Sequence, residues 1–235
     1  MNILLLGAPG AGKGTQGERI AARLALRKIA TGDVLRVAVR DGTEQGRLAK
    51  SYMDRGDLVP DAVILGIMKE ALVEPASSTG VILDGVVRTV PQAEGLAGVL
   101  DDLGRTLDVV LMLDVDDDEI VKRLGGRTVC EVCQTPYTGR EPGTTCDKND
   151  GGTLVRRKDD DPAAIRNRMK AYRESTAPVI AWYLARTPGD GRTAKGNAGA
   201  VGPASQRTAG PRFITIDALG EMDDVTERIM RALQT

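Results

Sequence analysis

The residues best suited to chemistry come first in the chain. An apolar run at 2–6 leads straight into Gly7-Ala8-Pro9-Gly10-Ala11-Gly12-Lys13-Gly14-Thr15-Gln16, a loop of the form G-x-x-x-x-G-K set between a strand and a helix. Glycines let successive backbone N–H groups close around an anion without Cβ clashes, and the helix N-terminus brings partial positive charge to the same point. Lys13 adds a full charge there and is expected to neutralise the β and γ oxygens of a triphosphate. The dinucleotide pattern G-x-G-x-x-G does not fit. Pro9 takes its second glycine position when the count begins at Gly7, and Thr15 its third when it begins at Gly10. Gly14 directly follows the lysine, with Thr15 one position later. Mg²⁺ is therefore expected to be held less by a direct hydroxyl ligand than through water and phosphate oxygens.

A second group able to do chemistry is Cys130-x2-Cys133 with Cys146, three thiolates where a tetrahedral zinc shell needs four ligands. Structural zinc competes here with free buried thiols and with a Cys130–Cys133 disulfide, the last disfavoured in a reducing compartment. Histidine is absent from all 235 residues, which removes Ser-His-Asp and Cys-His mechanisms and imidazole metal sites. The 32 basic and 33 acidic side chains nearly cancel, so no global basic field draws the chain to nucleic acid or membrane. Any anion site must be local. Six aromatic residues, one Trp, four Tyr and one Phe, leave little for base-stacking platforms. Met1-Asn2 enters its apolar run without a basic leader or cleavage site, and no segment has the length of a membrane span. A cytoplasmic protein is expected.

These groups need a scaffold. Short apolar runs at 2–6, 28–30, 81–83, 108–115 and 212–216 alternate with helix-length amphipathic segments at 13–26, 32–40, 43–55, 61–73, 90–103, 117–124, 162–172, 177–186 and 221–233. That alternation predicts an α/β fold, a five-stranded parallel sheet with helices on both faces. Residues 125–158 break the rhythm, being rich in Gly, Pro and Thr and holding every cysteine; a separate small lobe is expected. Residues 187–211 carry almost no large apolar side chains and read as a flexible linker.

The loop at 7–16 resembles that of adenylate kinases and their nucleoside monophosphate kinase relatives, and other stretches extend the resemblance. Ile29-Ala30-Thr31-Gly32-Asp33-Val34-Leu35-Arg36 looks like the family's strand-to-helix element beside the AMP site, and Asp57-Leu58-Val59-Pro60-Asp61 like the end of its monophosphate-binding lobe. Leu83-Asp84-Gly85-Val86-Val87-Arg88-Thr89-Val90-Pro91-Gln92 resembles the family's DG-F-P-R-T-x-x-Q stretch. Asp159-Asp160-Asp161-Pro162, Arg166-Asn167-Arg168 and Thr176-Ala177-Pro178 resemble the segment after its lid.

The resemblance implies reversible transfer of a phosphoryl group from Mg-ATP to AMP, giving two ADP, by a cytoplasmic monomer. It implies a core at 1–30, 61–122 and 161–235, with 187–211 inserted in it, an AMP-binding lobe at 31–60 and a lid at 123–160. Gly10, Ala11, Gly12, Lys13, Gly14, Thr15, Arg123 and Arg127 would bind ATP. Thr31, Arg36, Gly85, Arg88, Gln92, Arg157 and Arg168 would bind AMP, and Asp33 and Asp84 would order water around Mg²⁺. Lys13, Arg88, Arg123, Arg157 and Arg168 would be catalytic, with Asp159 and Asp160 orienting the lid arginines; Arg156 competes with Arg157 across a one-residue register shift. Such chemistry suits a chain without histidine, because phosphoryl transfer asks for alignment and charge neutralisation, which guanidinium groups supply. The lid resembles the long zinc-bearing type, with Asp150 completing the set of Cys130, Cys133 and Cys146, and Asn149 or Asp147 as alternatives. Val86-Val87 stands where the family usually has Phe-Pro, so the loop is expected to sit differently and to weaken AMP binding more than ATP binding. Two other functions stay open: a kinase for another nucleoside monophosphate, and a zinc-ribbon nucleic-acid module on a degenerate nucleotide-binding core. Acidic Asp147, Asp150 and Asp159–Asp161 speak against the second.

Overall fold

A computed structural model of the chain describes residues 1–77, 79–148, 150–187 and 210–234. The inserted segment expected at 187–211 therefore lies almost wholly outside the described residues.

Strand β1 (Asn2–Gly7) is buried along its whole length, which is why its sequence is apolar without alternation. It is followed by α1 (Lys13–Leu24), β2 (Arg27–Ala30), α2 (Thr31–Arg40), α3 (Glu44–Arg55), α4 (Asp61–Val73), β3 (Val81–Asp84), α5 (Val90–Asp102), β4 (Val109–Asp114) and α6 (Asp117–Gly125). Three lid strands come next, β5 (Arg127–Cys130), β6 (Pro136–Thr138) and β7 (Leu154–Val155), and then α7 (Pro162–Ala171), α8 (Ala177–Leu184), β8 (Arg212–Asp217) and α9 (Met222–Gln234). The main sheet has the order β2-β3-β1-β4-β8 and every pairing in it is parallel. Strand period decides which face each residue meets. Leu4, Leu6, Leu83 and Val110 pack with Met68, Leu72, Leu96 and Val179 from α4, α5 and α8. Ile3, Leu5, Ile82 and Leu111 pack with Ile20 of α1 and with Val225, Ile229 and Leu233 of α9. Each fully buried side chain of this size contributes roughly 1.5–3 kcal/mol, so the sheet is a rigid platform. Its centre is β1, with the chain turning to β3 on one side and β4 on the other, and the crevice at such a switch point is where doubly wound sheets take ligands.

Two small bodies stand over that crevice. Helices α2 and α3 form a hairpin in which Gly46 lies so close to α2 that an added Cβ would overlap the backbone of Ala38. Thr43 caps α3 by accepting from Gly46 N–H at 3.0 Å. The lid is an antiparallel sheet of order β6-β5-β7, and its apolar cluster holds little besides Cys130, Cys146, Leu154 and Tyr137.

The expected strands and helices are all present, with shifted ends. Helix α1 stops at Leu24 because Ala25 adopts φ 52°, and both Ala25 and Leu26 N–H turn back to Ala21 O. Helices α7 and α8 are not separated by a break: one wide π turn, Tyr172–Thr176, joins them. Pro178 lies in the first turn of α8 and can neither donate to the ladder nor tolerate an oxygen at its ring, so the turn widens ahead of it. No described helix is long and apolar enough to cross a membrane.

Candidate functional site

At the carboxyl ends of the sheet lies a cleft of about 690 Å³, bordered by the glycine loop, the α2–α3 hairpin and the lid. Gly12 turns the loop into α1 at φ 96°, a left-handed conformation that suits glycine. Lys13, the first residue of α1, is half-buried at the cleft, and its Nζ donates to Gly7 O at 2.7 Å and Ala8 O at 2.8 Å. One of the three ammonium donors thus remains for a ligand. Of the six loop residues expected to bind ATP, Ala11 alone does not line the cleft: it is packed under the loop against the core, and its N–H donates to Ala8 O at 3.1 Å.

The six arginines expected at the site, far apart in sequence, all line the same cleft: Arg36, Arg88, Arg123, Arg127, Arg157 and Arg168, with Arg19 as a seventh. Helix α2 carries Arg36, which pairs with Asp33 one turn earlier. Arg88 follows β3; no described residue accepts from its guanidinium, while its backbone is held by Thr176 Oγ1, which donates to Arg88 O at 3.0 Å. The π turn places that threonine. Arg123 bridges α6 and the loop after β8, donating to Glu119 Oε1 and to Ala218 O, each at 2.9 Å. Asp160 is nearly inaccessible and gathers two cations: Arg127 donates to both its oxygens at 2.7 and 2.5 Å, and Arg168 to Oδ1 at 2.9 Å. Arg168 also reaches Asp159 Oδ2 at 3.2 Å. Arg157 lines the cleft and Arg156 is exposed outside it, which separates the two registers left open by the sequence.

The field in this cleft is strongly positive. Burial holds Arg88, Arg157 and Arg168 below their ordinary pKa, and neighbouring guanidinium groups push each further down. The Nε atoms of Arg36 and Arg157 are buried without a partner. Buried donors without acceptors in a crowd of like charges have no protein group to satisfy them, and a polyanion in the cleft would. Asp33 and Asp159 are held below the usual carboxylate range although burial alone would raise them; Arg36 is the main counterweight for Asp33 and Arg168 for Asp159. Asp84 ends β3 beside the loop, and a Cβ added at Gly14 would lie 3.6 Å from its Oδ2.

Lys13 is pushed down to about 8, first by burial and then by Arg88, Arg168 and Arg127, against the opposing pull of Asp84. The sign follows directly. Above pH 8 the ligand-free protein loses this proton, and a bound polyphosphate favours regaining it. Calorimetric titration of ATP at pH 8.5, in buffers of different ionisation enthalpy, is expected to show uptake of most of one proton. Lys13→Gln is expected to abolish the uptake; equal uptake in the variant would remove Lys13 as its source.

Thr31, Gly85 and Gln92 form the opposite wall. Thr31 Oγ1 donates to Gly85 O at 2.8 Å. Val86 and Val87 are buried in the core, every peptide bond among the described residues is trans, and Arg88 still faces the cleft. Sequence reasoning missed one wall. Ala218, Gly220, Glu221 and Met222, beyond β8, border the cleft next to Arg123. They carry no motif, although their place past a strand's carboxyl end is where ligands sit in this architecture.

In the lid, one donor atom each from Cys130, Cys133, Cys146 and Asp150 lies within 4.8 Å of the others. Cys133 Sγ and Cys146 Sγ are 3.7 Å apart, and Cys130 Sγ is 3.2 Å from Asp150 Oδ2. Thiolates bound at ~2.3 Å around a tetrahedral ion sit about 3.7 Å from one another, so this donor set can hold a metal ion. All three cysteines are free. Burial pushes the Cys130 thiol up to about 11, a proton that a bound divalent cation would displace. Hydrogen bonds from Cys133 and from Gly152 N–H keep Asp150 ionised. Asp147 instead pairs with Arg140 at 2.5 Å, and Asn149 lies outside the described residues.

Comparison with known proteins agrees with this geometry. The family model for adenylate kinase matches residues 5–187. A protein named adenylate kinase from Gemmatimonas aurantiaca is 56% identical over 235 residues, covering 100% of this chain and 99% of the relative. One from Methanothrix thermoacetophila is 48% identical over 78% of this chain and 86% of its own length. Another, from Methanosarcina barkeri, is 39% identical over 100% of this chain and 99% of its own.

Proposed function

Since this chain belongs to the adenylate kinase family, transferring a phosphoryl group between ATP and AMP, we propose how its own residues divide that work. Lys13 and the N–H groups of Gly10, Gly12, Gly14 and Thr15 hold the ATP phosphates, joined by Arg123 and Arg127. Arg36 and Arg88 hold the AMP phosphate, while Thr31 and Gln92, with Gly85 beside them, meet its adenine. Arg157 and Arg168 lie between the two and neutralise the charge that spreads over the transferring group. Asp33 and Asp84 orient water around the Mg²⁺ that accompanies ATP. The observation that carries this reading is the convergence of Lys13 and six arginines on one cleft, with two buried Nε donors unpartnered. No acid or base is required of the chain; it aligns the nucleotides and excludes water.

The α2–α3 hairpin, within 31–60, closes over AMP, and the lid at 123–160 over ATP. The lid has an apolar cluster of its own, which supports its independent movement, while the hairpin packs Leu35 and Ala49 against Ile64 and Ile67 of α4, along which it would pivot. The donor set of Cys130, Cys133, Cys146 and Asp150 suits zinc in a structural role: three thiolates and a carboxylate fill a tetrahedral shell and leave no open position. Thiolates kept free for metal suit a reducing cytoplasm, where the protein acts as a monomer.

The test is ADP formation from Mg-ATP with AMP, UMP, CMP or GMP as acceptor. AMP is expected to give the highest kcat/KM by at least tenfold. A different preferred acceptor would overturn the assignment of Thr31 and Gln92 to adenine.

A further inference from the structure

Gln92 is 1% exposed and borders the cleft. A neutral carboxamide offers a donor and an acceptor side by side, and by turning over it matches two opposite base edges. Adenine presents an acceptor at N1 and a donor at its amino group. Hypoxanthine and guanine present the reverse.

Here both ends of the amide are fixed from behind. The backbone N–H of Arg88 donates to Gln92 Oε1 at 2.7 Å, and Gln92 Nε2 donates to Asp61 Oδ1 at 2.7 Å. A backbone N–H only donates and a carboxylate only accepts, so the two atoms cannot exchange places without setting donor against donor and oxygen against carboxylate. Asp61 is itself fixed: it begins α4, and Thr89 Oγ1 donates to the same Oδ1 at 3.2 Å. Thr89 in turn caps α5, accepting from Gln92 N–H at 3.2 Å. The second Nε2 hydrogen and the second Oε1 lone pair remain uncommitted. Their left-to-right order is therefore set jointly by the Arg88 N–H and by Asp61, and of the two only Asp61 is a side chain that a substitution can remove.

We propose that Asp61 is a positioning residue that sets base specificity by locking the Gln92 carboxamide in the orientation that accepts a 6-amino purine and rejects a 6-oxo purine. The proposal rests on the reading that Gln92 meets the base of AMP. Sequence alone assigns Asp61 no role beyond its place in the Asp57–Asp61 stretch.

AMP and IMP are the probes, because they differ in the polarity of this base edge and lack the extra amino group of GMP. With saturating Mg-ATP, kcat/KM for each is measured in the parent protein and in Asp61→Ala, Asp61→Asn and Gln92→Ala. Asp61→Asn keeps the size of the side chain but lets it present either an oxygen or an amide to Gln92, so only the Arg88 N–H still opposes reversal. Both Asp61 variants are expected to narrow the AMP-to-IMP ratio about tenfold, through KM of the monophosphate, with KM for ATP within twofold of the parent. A residue that only supported the fold would lower AMP and IMP rates together and leave the ratio unmoved, and that result in Asp61→Asn would overturn the proposal. If Gln92→Ala collapses the ratio while neither Asp61 variant does, the proposal alone fails. If Gln92→Ala leaves the ratio intact, the placement of the base against Gln92 fails with it.

Discussion

Lys13→Ala is expected to lower kcat for ADP formation by about 10³-fold, the largest effect of any single substitution in this chain. Removing one preorganised donor from a developing anion costs 10²–10³ in rate, and Lys13 supplies more than a donor. Its half-buried ammonium borders the cleft and is bonded to Gly7 O and Ala8 O, so it holds the loop in shape and is the charge proposed to meet the phosphates. Alanine removes both contributions at once. Lys13→Arg is expected to recover less than a tenth of the lost activity. A planar guanidinium cannot place compact donors on two carbonyls at 2.7 and 2.8 Å in the space of an ammonium. Thermal unfolding run beside the initial-rate assay separates the two contributions. A melting temperature within a few degrees of the parent, with kcat reduced as stated, identifies loss of chemistry rather than of fold. Retention of more than a tenth of kcat in Lys13→Ala would remove the lysine from the transfer step.

The ease of reading Lys13 from sequence has a physical basis. Loop, lysine and helix start are contiguous, so local backbone geometry alone brings them together, and the apolar run before them announces the strand. The arginines are different. Arg36, Arg88, Arg123 and Arg168 are 132 residues apart at the extremes of numbering, and only tertiary folding brings them into one cleft; resemblance to a family, not periodicity, picked them out. Arg157 could not be told from Arg156 until the fold placed the first on the cleft and the second outside it, beyond the end of β7. The loop at Ala218–Met222 stayed invisible because it meets the cleft through position rather than residue type. Asp61 was hidden for a related reason: it acts on a neighbour's orientation, and no spacing rule records that. The lid strands β5, β6 and β7 are two to four residues long, too short to show alternation, and the donor set they gather appears in the sequence only as scattered cysteines and one aspartate.

Stripping the metal from the lid is expected to melt that lobe and to cost about 10²-fold in kcat/KM for ATP, while KM for AMP changes by less than threefold. The apolar cluster of the lid is too small to offset the conformational entropy of its ordered residues. A metal ion held by Cys130, Cys133, Cys146 and Asp150 would supply the difference. Arg127 opens β5 and Arg157 follows β7, so both cationic arms enter the cleft from the edges of this lobe. Losing two charged donors at roughly 1.5 kcal/mol each accounts for the factor expected. The wall proposed for AMP, built on α2, α4 and α5, does not pass through the lid and is left in place. Cys130→Ala is the sharper version, because Cys130 is fully buried and contacts Asp150. Metal analysis is expected to fall from one zinc per chain to none, and backbone amides at Val129, Cys130 and Leu154 to lose protection from hydrogen exchange. Full exchange protection in a chelator-treated, metal-free protein would show that the small lobe holds itself together, and the cysteines would then need another role.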